Sequence, residues 1–263
     1  MEKLNALKKT WIAGRAAAGY GIYVLFNVLF MVAALAIYVL TVPFPRARRS
    51  MVSFCLFRIV RLMLALLDLA GVAKFSTRGA DRVLKGRSAV YVANHGSLID
   101  SIFVVSQIPN SAVVVKSSYT PLLAIGVLVK LFDFVSVDKS SHESLKRAHD
   151  ECRRLLGEGV SVIIFPEGTR NPSRRRLLEF GSLAFRLAAE SKVPLVPAAI
   201  FQKGILLRKQ EGSFLPPEKD SFILSFLQPI MPESAGDARS LSDAAYRGIT
   251  RELASLKTEH TLT

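Results

Sequence analysis

The sequence predicts an α/β fold, a central and largely parallel sheet flanked by helices, with an N-terminal apolar helical pair for membrane attachment. Three observations predict it. Beyond about residue 76, short β-branched runs alternate with helical patterns, the signature of a parallel sheet with crossover helices. Ahead of that alternation lie two long apolar segments, too extended for ordinary core helices. The totals agree with both: 50% hydrophobic residues and a mean hydropathy of +0.32 exceed what a soluble domain needs, while 21% charged residues is too many for a multi-span membrane protein. A chain of 263 residues accommodates one domain and an appendage, which we place at 76–263 and 1–75.

The first apolar segment contains "YGIYVLFNVLFMVAALAIYVLTV", and no Asp, Glu, Lys or Arg occurs between Arg15 and Arg46. This exceeds the roughly 20 residues that a helix needs to cross a bilayer core, and Pro43 and Pro45 end it. It is longer than a signal-peptide core and lacks a small-residue cleavage motif. Lys3, Lys8, Lys9 and Arg15 precede it, and Arg46, Arg48 and Arg49 follow. Basic residues at both ends favour the cytoplasm for both, so a helical pair dipping into one leaflet satisfies the pattern better than a single span. The second segment, Met51 to Phe75, is interrupted by Arg58, Arg61 and Asp68, and its two arginines share a helix face, which suits an interfacial helix.

Six strands are expected in "SAVYVAN", "SAVVVK", "DFVSVDK", "GVSVIIFPEG", "VPLVPAAIF" and "SFILSFLQPI". Helices are expected over 97–106, 122–131, 141–156, 181–190 and 241–257, with Ser140 and Glu143 as a capping box for the third. The segment 210–220, "QEGSFLPPEKD", reads as a surface loop. A net charge of +14 asks for an anionic partner, and the apolar N-terminus favours a bilayer or a polyanionic substrate over nucleic acid, for which no module signature is present. Cys55 and Cys152 form neither a disulfide framework nor a metal-ligand spacing and read as reduced packing residues.

Two segments carry candidate chemistry. In "YVANHGSLIDS" the strand-like run is followed by His95 and, five residues on, Asp100. Within one helix such residues point about 140° apart, so they meet only across a bend. A turn at Gly96 and a helix capped by Ser97 would supply it, with Asp100 in the first turn facing back. A carboxylate on one imidazole nitrogen fixes the tautomer and leaves the other nitrogen to take a proton from an alcohol. Ser97 and Asp100 also have capping-box spacing, so on this segment alone the aspartate could serve only backbone donors. The second segment is "VIIFPEGTRNPSRRR". Gly168 lets a ligand approach the backbone, Arg170 offers a planar fork for phosphate oxygens, and Thr169 adds a hydroxyl. Glu167 is expected to orient Arg170 or to hold a ligand hydroxyl. A polar surface turn is the plainer alternative.

Together these segments resemble the lysophosphatidic acid acyltransferases (1-acylglycerol-3-phosphate O-acyltransferases) and their glycerolipid acyltransferase relatives. Asn94, His95 and Asp100 match the first block of that family, and Phe165, Pro166, Glu167, Gly168, Thr169 and Arg170 match the third without change. "VPLVPAAI", with Pro194 and Pro197, matches the fourth, and the likeness extends over Arg78 to Pro232. The second block is looser: Lys116, Pro121, Gly126 and "VSVDK" echo it, but Lys139 stands where the family commonly has arginine and Asp133 where a glycine is usual. An ammonium binds phosphate as a point charge without the bidentate geometry of a guanidinium, which puts the acceptor's identity in question.

The resemblance implies an O-acyltransferase. It makes His95 and Asp100 catalytic, and assigns substrate binding to Asn94, Lys116, Lys139, Glu167, Gly168, Thr169 and Arg170. It calls for no cofactor and no metal, with acyl-CoA or acyl-carrier protein as co-substrate and a lysophospholipid as acceptor, at the cytoplasmic face of an inner membrane and among its lipids. His142, His149 and His260 then read as solvated surface. The apolar run from Pro121 to Phe134 is a candidate acyl groove or plain core. Two alternatives stand beside this reading: the same chemistry on another lipid-like alcohol, and a catalytically silent phospholipid-binding module.

Overall fold

The structure, a computed structural model, describes residues 2–41, 45–121, 126, 129, 134–173, 176–208 and 219–261, the side chains of 2–9, 16, 27, 30, 34, 38, 41, 45–50 and 52 excepted. Helices α1 (Glu2–Thr41) and α2 (Pro45–Leu69) lie side by side, with Gly19 of α1 close against Val72 just beyond α2. Pro45 opens α2 instead of closing α1, a first-turn position where its missing N–H costs nothing. Within α1 the stretch Thr10–Ile37 is long and apolar enough to cross a membrane, and with 13% of its most apolar window buried it is no core helix of the α/β domain. Leu25, Val28, Val32, Leu35, Val39 and Leu40 all stand exposed on it. On α2, Arg58 and Arg61 sit over the rings of Phe54 and Phe57, keeping two cations beside exposed or half-buried aromatic surface.

The second helix ends earlier than its apolar composition suggests. Gly71 takes a positive φ of 71°, and strand β1 (Ala73–Arg78) follows. This strand was not among the six expected. The expected ones are present as β2 (Val90–Ala93), β3 (Ser111–Lys116), β4 (Val135–Val137), β5 (Ser161–Ile164), β6 (Leu195–Gln202) and β7 (Asp220–Phe226). They form one seven-stranded sheet in the order β1-β7-β6-β2-β5-β3-β4. Neighbours from β6 to β4 are parallel, β6 and β7 are antiparallel, and β1 runs parallel to β7. Strands β2 and β5 lie at the centre and are buried at every residue, as a parallel strand covered on both faces must be.

The remaining helices are α3 (Ile99–Val105), α4 (His142–Gly157), α5 (Leu183–Ser191), the short α6 (Pro232–Ala235) and α7 (Ala238–Thr261). The β2–α3–β3 crossover steps one way along the sheet and β4–α4–β5 steps back, so right-handed connections put α3 and α4 on opposite faces. The cap of α4 is Ser141, whose hydroxyl accepts from the Ser144 N–H, and not Ser140, whose N–H and hydroxyl both go to Asp138. The helix expected over 122–131 and the 210–220 loop fall mainly outside the described residues. Because β2, β5, β3 and β4 are adjacent and parallel, the loops leaving their carboxyl ends open on one edge of the sheet.

Candidate active site

That edge carries the predicted residues in spatial order: His95 after β2, Glu167 to Arg170 after β5, Lys116 at the end of β3 and Lys139 after β4. Neighbouring strands thus bring together side chains up to 75 positions apart in the chain.

His95 and Asp100 meet as the bend requires. The imidazole Nδ1 lies 3.0 Å from Asp100 Oδ2, and the same oxygen accepts the N–H groups of Gly96 and Ser97, each at 2.7 Å. Both readings of this aspartate are therefore true at once: it closes the turn and it holds the ring. Ser97 does not cap α3 in the expected way, because its hydroxyl donates to Leu206 O at 2.7 Å and the cap position falls on Leu98. Asp100 is buried, the His95 side chain keeps 15% of its surface exposed, and its Nε2 has no hydrogen-bond partner among the described residues. The ring stacks on Phe165, with centroids 4.3 Å apart, which fixes its plane from below.

The backbone of His95 is gripped as firmly as its ring. Its N–H donates to Glu167 Oε1 at 3.0 Å, and its carbonyl accepts from the Asn171 N–H at 2.6 Å. Glu167 is buried, and its other oxygen accepts from Asn171 Nδ2 at 2.7 Å and from the Leu178 N–H at 2.8 Å. It therefore does not orient Arg170. Burial pushes the Glu167 carboxyl above its ordinary pKa, against the pull of the hydrogen bonds from Leu178, His95 and Asn171. Asn171 also donates to Arg176 O at 2.9 Å, tying the loop after β5 to the segment beyond it. Its part in the site carried no signal in the sequence, because it reaches the other motif only through its own backbone N–H and the His95 carbonyl, groups that carry no residue-type information.

Asn94 bonds Ile200 at both ends of its amide, Nδ2 to the carbonyl at 2.9 Å and Oδ1 from the N–H at 2.8 Å. It continues the β2–β6 pairing by one residue and so aims the chain into the His95 turn.

On the cationic side, Gly168 has φ of 61°, and a Cβ there would lie 1.2 Å from Lys139 Nζ. The ammonium occupies the space that any side chain at 168 would need. Partial desolvation, and then repulsion from Lys116, lower the Lys139 pKa below the usual lysine value. Thr169 is exposed, Arg170 is half-buried, and Arg170 makes no ion pair among the described residues. Of the three arginines that close "VIIFPEGTRNPSRRR" only Arg176 is described, since 174 and 175 lie outside the described residues, as does most of the candidate acyl groove.

The other titratable candidates stand apart. His149 is not solvated: its Nε2 lies 3.1 Å from a Glu190 oxygen, linking α4 to α5. His260 stacks on Phe201. Cys152 is fully buried, and desolvation, helped by Glu151, pushes its thiol up to about 12, so it is no nucleophile.

Comparisons with known proteins bear on the fold and on the kind of protein this chain resembles. A family model described as Acyltransferase matches residues 74–201. An uncharacterized acyltransferase of Schizosaccharomyces pombe is 31% identical over 65% of this chain and 61% of its own length. The 1-acyl-sn-glycerol-3-phosphate acyltransferase of Limnanthes alba is 34% identical over 49% of this chain and 45% of its own. The human 1-acyl-sn-glycerol-3-phosphate acyltransferase beta is 28% identical over 67% and 63%. The chain thus spans about half to two thirds of the length of these curated relatives. A solved structure, the 1-acyl-sn-glycerophosphate acyltransferase of Thermotoga maritima, superposes with a TM-score of 0.77 over 95% of this chain and 98% of that one, at 21% identity, which supports the fold. Taken with the matched motifs, these findings make residues 74–201 similar to the acyltransferases, among them the 1-acyl-sn-glycerol-3-phosphate acyltransferases.

Proposed function

We propose that this protein transfers a fatty acyl group from an acyl thioester, acyl-CoA or acyl-carrier protein, to the free hydroxyl of a lysophospholipid, with 1-acylglycerol-3-phosphate as the preferred acceptor and phosphatidic acid as the product. The observation that carries the proposal is the His95 ring, held by Asp100 at Nδ1 and open at Nε2, on the sheet edge that also carries the ammonium of Lys139 over Gly168. Nε2 takes the proton of the acceptor hydroxyl as its oxygen attacks the thioester carbonyl. Asp100 stabilises the imidazolium that forms. The tetrahedral intermediate collapses, the C–S bond breaks, and the thiolate leaves with the proton returned by His95. The products are the acylated lipid and a free thiol, and the enzyme is regenerated without an acyl-enzyme stage or a cofactor.

Lys116, Lys139 and Arg170 supply the charge that recognises a phosphomonoester, while Thr169 and the Gly168 backbone lie within the same loop. The exposed apolar surface of α1 supports attachment to a membrane, and the basic residues at both ends of that segment favour the cytoplasmic face for the site. Lysine at 139, a point charge instead of a planar fork, favours as second reading a neutral or differently charged lipid alcohol as acceptor.

The test incubates purified protein in detergent or vesicles with a panel of lysolipids and lipid alcohols, each with acyl-CoA and with acyl-carrier protein, and identifies products by mass spectrometry. Lysophosphatidate is expected to be acylated fastest. Faster acylation of a neutral alcohol would transfer the proposal to the second reading, and no acylation of any acceptor would overturn both.

A further inference from the structure

A second buried aspartate lies behind the first. Asp220, the first residue of β7, is 2% exposed, a location that a carboxylate tolerates only when its oxygens are satisfied. Here they are. Oδ1 accepts the N–H groups of Gly204 at 2.7 Å and Ser221 at 2.6 Å, and Oδ2 accepts Gln202 Nε2 at 2.7 Å and the Leu206 N–H at 2.8 Å. The chain leaving β6 is drawn around this carboxylate so closely that a Cβ at Gly204 would lie 2.6 Å from Asp220 Cγ. Gln202 adds a bond to Leu206 O at 3.0 Å, which closes the turn on itself.

The turn so formed is stitched to the loop that carries the candidate dyad. Ser97 Oγ donates to Leu206 O at 2.7 Å, the Leu98 N–H donates to Leu207 O at 3.2 Å, and Ser97 and Arg208 form an antiparallel bridge. The Arg208 guanidinium lies over Gly96, 3.1 Å from where a Cβ would stand, and its Nη1 reaches Gln202 Oε1 at 3.5 Å. Gly96 and Ser97 are the two residues whose N–H groups share Asp100 Oδ2 with His95. Two turns, each wound on its own buried carboxylate, are thus bonded back to back. Among the described residues the other side-chain bond of Ser97, accepted from the Ile99 N–H at 3.3 Å, runs toward α3.

We propose that Asp220 is a positioning residue for the His95–Asp100 pair, acting through the turn at 203–207 and its bonds to Ser97 and Leu98. The inference rests on the reading of His95 as the base. Asp220 touches no reacting atom, so its loss leaves both substrates' binding surfaces in place and misaligns the ring. In Asp220→Asn the amide turns an NH2 toward backbone donors, and the turn relaxes away from Ser97.

Full-length protein in detergent is compared as wild type, Asp220→Asn, Ser97→Ala and the double variant, with His95→Ala as reference, using thioester consumption at varied donor and acceptor. Asp220→Asn is expected to lower kcat about 10- to 100-fold, with KM for both substrates within about twofold. Ser97→Ala is expected to lower kcat by about 3- to 10-fold, and the double variant to be no slower than Asp220→Asn alone, because both cut the same connection. Wild-type kcat in Asp220→Asn, a KM increase matching the loss of kcat, or multiplicative losses in the double variant would each overturn the proposal. If Asp220→Asn does not fold by circular dichroism, Ser97→Ala and Gln202→Leu decide: unchanged kcat in both overturns it, and a loss confined to kcat upholds it. Full activity in His95→Ala instead removes the reading of the base, an outcome separate from any failure of Asp220.

Discussion

The two sides of the site are built to different standards. On the histidine side every polar group of His95 but the open Nε2 is committed: Nδ1, the N–H and the carbonyl each have a partner, and the partners Asp100 and Glu167 are themselves buried and multiply bonded. On the cationic side Lys116, Lys139 and Thr169 are exposed and Arg170 is half-buried. Positioning a base to take a proton tolerates little error, whereas gripping a phosphate by flexible ammonium groups tolerates a good deal. Such a division lets the chemistry stay fixed while the acceptor preference varies with a few exposed side chains.

Substitutions on the two sides should therefore behave differently. The largest effect is expected for His95→Ala, which removes the proposed base and should lower kcat by about 10³-fold or more while the protein remains folded. Residual turnover near wild type in a thioester-consumption assay would end the comparison. Glu167→Gln comes next. A side-chain amide cannot accept at both ends, so either the His95 N–H or the Asn171 and Leu178 donors face an NH2 group, at a cost of about 1–3 kcal/mol and with a fall in kcat.

This variant also carries a pH signature. A carboxyl whose folded pKa is raised lends stability that is fully present below its unfolded pKa and is lost as pH rises through the folded one. The Tm advantage of wild type over Glu167→Gln should accordingly shrink as pH climbs from below the ordinary carboxylate range toward neutrality. A widening gap would contradict the role of burial.

On the cationic side the effects should be smaller and fall on binding. Arg170→Ala is expected to raise the acceptor KM about tenfold for a phosphate-bearing lysolipid and hardly at all for a neutral one. Equal losses on both would place Arg170 with the chemistry instead. Smallest is the effect of Lys116→Met. Desolvation and the Lys116 charge both lower the Lys139 pKa, so the wild-type acceptor KM should begin to rise with pH earlier than an ordinary lysine would allow. Removing Lys116 should move that rise to higher pH, which a KM–pH series on the alkaline side would detect.

What the sequence disclosed follows from how local each signal was. The bend between His95 and Asp100 depends on six consecutive residues and could be argued from them alone, as could the strand that delivers Glu167. The role of Glu167 could not. Its partners are a backbone N–H 72 positions away and the amide of Asn171, and no periodicity encodes which distant N–H a carboxylate will meet. For the same reason Ser97 read as a cap, whereas its hydroxyl donates to Leu206 O, 109 positions on, and keeps only a long bond, 3.3 Å, from the Ile99 N–H at the start of α3. Strand β1 escaped detection because "AKFSTR" follows directly on an apolar helix and finds its partner only at β7, near the other end of the chain. Ser141 replaced Ser140 as the cap of α4 through competition from Asp138, a neighbour close enough to be seen but equivalent on spacing alone.

Under the proposed function, the outward apolar face of α1 would change how this protein meets its substrate. A water-soluble enzyme must extract a single-chain lipid before acting on it, and gives up the energy of removing those methylenes from the bilayer. With Leu25, Val28, Val32 and Leu35 turned outward, the site and a lipid acceptor of the proposed kind would share a two-dimensional phase, where encounter is governed by mole fraction. Diluting the acceptor with inert phospholipid at constant bulk concentration should then slow turnover as effectively as removing it.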